Sequence, residues 1–210
     1  MYIPAKYLVE EWAPQEELIL ENPLATIVTH TEEDGLIANH IPMILRVDAA
    51  TGRKYLCAHI ARVNHQVPSL SDNPDVLVIF KSPDSYITPT YYPTKQETHK
   101  VVPTWDFAAV HIKGKSRIVD EPSWVLEQLN DLTDQQERNS NPAWRVDETP
   151  SNYLGLLQKA IYGLEIEIVE TRCKFKFEQQ MKRQDIDGVI DGLEKDGKVH
   201  VSNLVRSSNA

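Results

Sequence analysis

Between Ser82 and Gly114 the chain reads SPDSYITPTYYPTKQETHKVVPTWDFAAVHIKG and sets Tyr86, Tyr91, Tyr92, Trp105, Lys95, Lys100, His99 and His111 among four prolines. The segment is too polar for plain core and too aromatic for an idle loop. Stiff backbone, aromatic faces, hydroxyls and ammonium groups are what a flat aromatic ligand with an anionic edge requires. The competing reading is an ordered crossover whose rings only pack. A second segment, CAHIARVNHQ (57–66), carries two imidazoles and a guanidinium. Either His59 or His65 could be an axial heme ligand, because the porphyrin supplies four nitrogens and iron then needs one neutral imidazole. On one strand their six-residue spacing would keep them on one face but about 20 Å apart. They could therefore share a ligand only if the chain turns between them, and Asn64 and Pro68 favour a turn. Arg62 could hold a propionate or a phosphate through its planar fork. The plain alternative is a hydrogen-bonded structural His59 and an Arg62 paired with a carboxylate.

His40 and His111 read as strand histidines, and scattered histidines without a carboxylate partner set do not specify a non-heme metal site. No G-x-G-x-x-G, G-x-x-x-x-G-K-[ST], G-x-S-x-G or C-x-x-C occurs, so no glycine loop cradles a nucleotide. A phosphate would instead need cations and hydroxyls such as Arg62, Lys81, Ser82 and Ser85.

The elements that must position these groups are mostly strands. LATIVTH (24–30), LIANHIPMIL (36–45), KYLCAHIA (54–61), DVLVIF (75–80) and AAVHIKGKSRIV (108–119) are β-rich and separated by hairpin-sized turns at 32–35 and 48–52. The apolar run 75–80 predicts a strand buried on both faces. At 123–138 the period changes: Val125, Leu126, Leu129 and Leu132 predict a helix after Pro122, with Ser123 as N-cap. A second helix is expected over 151–162 with Gly163 at its end. The alternating LEIEIVETRCKFKFEQ (164–179) predicts a long strand with one wet face, and 183–195 a short helix weakened by Gly188 and Gly192. The stretch 138–150 reads as an inserted loop. Residues 1–195 thus form one mainly β domain with peripheral helices, and 196–210 a polar, frayed tail.

Composition narrows the classes. The 210 residues hold 22 Lys+Arg against 31 Asp+Glu, a formal charge of -9, which disfavours direct nucleic-acid contact. No apolar run approaches a membrane span and no signal pattern opens the chain, so a cytoplasmic protein is expected. Two cysteines, Cys57 and Cys173, make neither a disulfide framework nor a zinc knuckle.

In order, MYIPAKY, NPLATIVTH, NHIPMIL, AHIARVN, VLVIFKSPDSYITPTYYPTK, KVVPTWDFAAVHIKG, AIYGLEIEI and KFKFEQQ resemble the PaiB-like family from Met1 to about Leu193. That family is catalogued as FMN-binding negative transcriptional regulators. The resemblance implies a split β-barrel of the FMN-binding, pyridoxamine-phosphate-oxidase-like type, forming a homodimer with its ligand at the subunit interface. It implies heme or FMN as cofactor, because family members include heme-dependent piperazate synthases, which form an N–N bond in a hydroxylated diamino acid. Carried over, His59 looks like the axial heme ligand, with Lys95, Tyr86 and Thr88 as the polar catalytic set. Trp105 and His111 look like parts of the pocket wall, and the residue reading adds Arg62 and His65 to the cofactor-binding set. The chain departs from the family pattern at Val63-Asn64-His65, which puts a second imidazole near the ligand. It departs again at Glu178, where the family usually has a small hydroxyl.

Overall fold

The computed structural model describes residues 1–72 and 75–210. In chain order the elements are β1 (Leu8–Val9), α1 (Trp12–Glu21), β2 (Leu24–Thr31), β3 (Gly35–Pro42), β4 (Ile44–Val47), β5 (Lys54–Ala61), α2 (Val67–Asp72), β6 (Asp75–Lys81) and β7 (Ser85–Ile87). They continue with α3 (Lys95–Thr98), β8 (Thr104–Val119), α4 (Pro122–Glu137), α5 (Ser151–Gln158), β9 (Ile161–Lys176), α6 (Arg183–Lys195) and α7 (Val199–Ser207). The chain divides into two compact units. One comprises Met1–Glu21, Lys81–Val110 and Arg172–Ala210; the other comprises Asn22–Phe80 and His111–Thr171.

The second unit is a mainly antiparallel sheet with strand order β3-β2-β6-β8-β9-β5-β4. Alternation produces it: along β2 the β-branched and small residues Ala25, Ile27 and Thr29 point inward while their neighbours face out. The β2–β3 hairpin pairs Leu24 with Pro42 through Thr31 with Gly35. Its turn closes on Gly35, whose φ of 69° a side chain would resist. The core gathers Ile27, Leu56, Phe80, Ile112, Leu164 and Ile166, all fully buried. Burial in β6 alternates, with Val76, Val78 and Phe80 inward and Leu77 and Ile79 half-exposed. The expected two-faced burial is therefore corrected: this strand has one wet face. The stretch expected as one strand over 36–45 breaks at Met43, whose N–H donates to Pro23 O at 2.9 Å instead of to the ladder.

In the first unit β1 pairs with the end of β9 and β7 with the start of β8. Here α6 buries Ile186, Val189, Ile190 and Leu193, an i, i+3, i+4, i+7 stripe. Its two glycines have a packing reason. A Cβ at Gly188 would lie 2.3 Å from Tyr91 O, and one at Gly192 2.2 Å from Tyr91 Cδ1. The pair forms a groove for Tyr91, whose hydroxyl donates to Asp196 at 2.5 Å.

Three further expectations change. The tail is not frayed: 199–207 is helical, burying Val201 and Val205 at i, i+4 spacing. Asn209 ties it down by donating to Phe177 O and Val205 O. The second helix stops at Gln158, and Gly163 sits inside β9, where a Cβ would meet the Trp124 ring at 2.4 Å. In α4 the N-cap is Glu121 with Pro122 as the first helical residue, the place where proline's missing N–H costs nothing. No helix among the described residues is long and apolar enough to cross a membrane.

Candidate cofactor-binding site

In the second unit, one face of α4 sets the environment of His59. Trp124, Gln128 and Asp131 recur at i, i+4, i+7 and so share that face. The Trp124 ring lies over Gly163 of β9, and Asp131 accepts from Arg46 of β4 at 2.9 and 2.6 Å. Gln128, clamped between these anchors and fully buried, meets His59 of β5: Gln128 Oε1 lies 2.9 Å from His59 Nδ1. With the amide oxygen toward the ring, Nδ1 is the donor of this pair and Nε2 lies outside it. At the other end of the same amide, Nε2 is buried with no partner among the described residues.

The strand ends at Ala61 and the chain turns. Arg62 N donates to Ala160 O at 2.9 Å, and the guanidinium stacks 4.0 Å from the Tyr162 ring centroid. Both of its terminal nitrogens donate to Asp120, one at 3.2 Å. These hydrogen bonds hold the Asp120 carboxyl below the usual carboxylate range. Buried Arg62 Nε has no partner among the described residues. Arg62 and Asp120 edge a cavity of about 270 Å³ that Val125, Gln158, Lys159 and Ile161 complete. His65 lies in the turn and is exposed. The turn is anchored by buried Gln66, which accepts from Asn39 at 2.8 Å and donates to Thr29 at 3.1 Å. His111 of β8 is half-buried, and desolvation pushes its pKa below the usual imidazole value.

The remaining residues singled out from the sequence belong to the first unit. Tyr86 of β7 faces Trp105 of β8 across the ladder, edge to face at 6.3 Å. Thr88 caps the short 3-10 turn Pro89–Tyr91 and meets Thr90 Oγ1 at 2.9 Å. Lys95 opens α3 and is half-buried. Lys81 pairs with Asp84, while the buried Ser82 and Ser85 hydroxyls donate to backbone carbonyls.

Sequence reasoning missed a polar cluster in this unit. Asp106 sits on the inward face of β8 with Ala108, Val110 and Ile112, and is 0% exposed. Neither carboxylate oxygen has a hydrogen bond among the described residues; Lys176 Nζ lies 3.7 Å away. Lys176 instead donates to Thr104 Oγ1 at 2.5 Å and Trp105 O at 2.6 Å. Glu178, nearly buried, accepts from Tyr92 Oη at 3.1 Å and has a left-handed φ of 63°. Burial first, and then the neighbouring Glu178 carboxylate, push the Asp106 pKa up to about 8 against the opposing pull of Lys176. The sequence does carry one signal for this cluster: an acid at an inward position of an otherwise apolar i, i+2 series.

The antiparallel sheet with its peripheral helices, together with the family match, defines a mainly β split barrel. The chain belongs to the family described as "Putative FMN-binding domain", whose model matches residues 1–170. It is 33% identical over 243 residues to "Uncharacterized protein AN0679" of Emericella nidulans, covering 98% of this chain and 96% of that one. It is 28% identical over 196 residues to "Protease synthase and sporulation protein PAI 2" of Bacillus subtilis, covering 93% and 90%. Among solved structures it resembles the FAD and heme binding protein of Mycobacterium smegmatis, with TM-score 0.61 and 15% identity over 86% of this chain and 79% of that one. The flavocytochrome Anf3 of Azotobacter vinelandii gives TM-score 0.59 and 12% identity over 86% and 75%.

Proposed function

We propose that this protein binds heme with His59 Nε2 as the axial iron ligand. One observation carries the reading: buried Gln128 Oε1, 2.9 Å from His59 Nδ1, orients the ring through one nitrogen and leaves Nε2 outside that contact. Histidines that ligate metals are commonly held in this way by an acceptor on the far nitrogen. Arg62 supports it, because its pairing with Asp120 is solvent-accessible and can be exchanged for a propionate at little cost. The proteins of similar fold described as an FAD and heme binding protein and as a flavocytochrome support a heme or a flavin alike. Bound heme would supply an open coordination position for a substrate nitrogen or oxygen. His65 and His111 are the alternative ligands.

The narrower reading is an N–N bond-forming enzyme acting on a hydroxylated diamino acid. In that reaction the N–O bond breaks, the second amine nitrogen takes the place of oxygen, and water leaves, with no external oxidant or reductant. The roles of Lys95, Tyr86 and Thr88 as proton-handling groups and of Trp105 as a wall rest on the PaiB-like resemblance. FMN is the second reading, favoured by the description of the matched family. The candidates for its phosphate, Arg62, Lys81, Ser82 and Ser85, all have partners in their own unit. A homodimer is supported by α5, which buries none of its residues and exposes Tyr153, Leu156 and Leu157. A regulatory role like that implied by the family name would act through a metabolite or partner, given the charge of -9.

Titration of the purified protein with hemin and, separately, FMN tests the assignment. A saturable Soret band that His59→Ala removes and His65→Ala leaves intact is expected. A band unchanged in His59→Ala, or flavin bands with no Soret response, would overturn it. Mass spectrometry of N5-hydroxyornithine incubated with the heme-loaded protein tests the narrower reading by the loss of one water.

A further inference from the structure

A second cavity, of about 220 Å³, lies wholly within the first unit. Three ammonium groups line it, Lys6, Lys100 and Lys176, against the single carboxylate of Glu178. Lys176 is committed to Thr104 and the Trp105 carbonyl. Lys100 has no ion-pair partner among the described residues, and Lys6 rests only on the Tyr7 ring, 4.7 Å from its centroid. The lining therefore carries an excess of two positive charges, in a chain whose net charge is -9. What sets Lys6 and Lys100 apart is that they line one concavity together. Val101, Val102 and Met181 add an apolar wall.

We propose that this cavity is a binding site for a small organic dianion, a short dicarboxylate, held by Lys6 and Lys100. The volume lies below the roughly 300–1,000 Å³ of sites for drug-sized ligands, so it suits a compact metabolite. Two ammonium groups complement two carboxylates, and the apolar wall takes the methylene body. Lys176, held by Thr104 Oγ1 and Trp105 O, adds a further ammonium to the lining. Glu178 sets the upper limit on affinity: its carboxylate repels the ligand, and its Tyr92 hydrogen bond keeps it in place. Asp106 lies 3.7 Å from Lys176 Nζ, and burial together with the Glu178 carboxylate raises its pKa. The assignment uses neither His59 nor Arg62, the groups proposed to hold heme.

Isothermal calorimetry at pH 7 with disodium succinate, ionic strength balanced with sodium chloride, tests it. Saturable one-site binding is expected, weakened about tenfold or more by replacing either carboxylate (butyrate) or both (succinamide). The Lys6→Gln/Lys100→Gln double variant changes exposed side chains, so its melting should match wild type while its succinate affinity falls at least about tenfold. Glu178→Gln should bind succinate several-fold more tightly, a gain that a merely misfolded variant would not produce. Absence of saturable succinate binding, or unaltered affinity in the double variant, would overturn the proposal. Inorganic phosphate displacing succinate at equal concentration would overturn the dicarboxylate assignment in favour of a phosphate site.

Discussion

Asp106→Asn should stabilise the protein in neutral and mildly alkaline solution, by an amount that grows with pH. The Asp106 carboxyl is fully buried, accepts no hydrogen bond among the described residues, and has its pKa pushed up to about 8 by burial and by Glu178. In the unfolded chain an aspartate titrates near 3.9. The folded value is the higher one, so between about pH 4 and pH 8 the folded state holds a proton that the unfolded state has released. Stability therefore falls as pH rises through that window, and the penalty is absent below it and complete above it. About four pH units at 1.36 kcal/mol each sets its size on the order of 5 kcal/mol. An asparagine amide in the same place still lacks partners, which costs about 1–3 kcal/mol. The net expectation at pH 8 is a gain of about 2–4 kcal/mol, reversing to a small loss near pH 4. Urea unfolding of wild type and variant at pH 4, 6 and 8, followed by tryptophan fluorescence and far-ultraviolet circular dichroism, measures the difference. Taking it between the two proteins cancels the carboxylates they share. A variant less stable at pH 8, or a difference that does not change with pH, would refute the reasoning.

Gln128→Leu should weaken heme binding by about 10–100-fold while the Soret band survives at saturation, because the imidazole loses its orienting acceptor but keeps Nε2; hemin titration reads both. Gly192→Ala should destabilise by about 1–3 kcal/mol or more, since its Cβ would arrive 2.2 Å from the Tyr91 ring, whereas Gly155→Ala, with open space around it, should not. Chemical denaturation compares the two glycines directly. Val205→Ala should lower stability by about 1–2 kcal/mol, as expected of a residue packed in the core and not of one in a frayed tail.

Strands were readable where alternation was strong, as in β2 and β8, since a half-buried sheet imposes period two on composition. The helix over α4 was equally legible from Val125, Leu126, Leu129 and Leu132, although these residues said nothing of Gln128. Gly163 misled because a glycine after an apolar helical stretch reads as a cap. Its true role, leaving room for Trp124, is a contact across 39 positions of sequence. The tail misled because Ser and Asn outweighed two valines four residues apart. At the site, the sequence singled out His59 by residue type and motif. Its partner lies 69 positions away, and no local pattern marks it.

What the sequence by itself determined is chemical inventory and period: an acidic chain, strands by alternation, helices by 3.6-residue spacing, and a histidine in the AHIARVN motif. Those properties are local, so neighbouring residues suffice to carry them. Only the tertiary structure decided the partners: that Arg62 faces Asp120, that Gln128 holds His59, and that Asp106 is buried beside Lys176 and Glu178. Burial and Coulomb energy depend on distance through space, and side chains far apart in sequence acquire that distance only when the strands and helices pack.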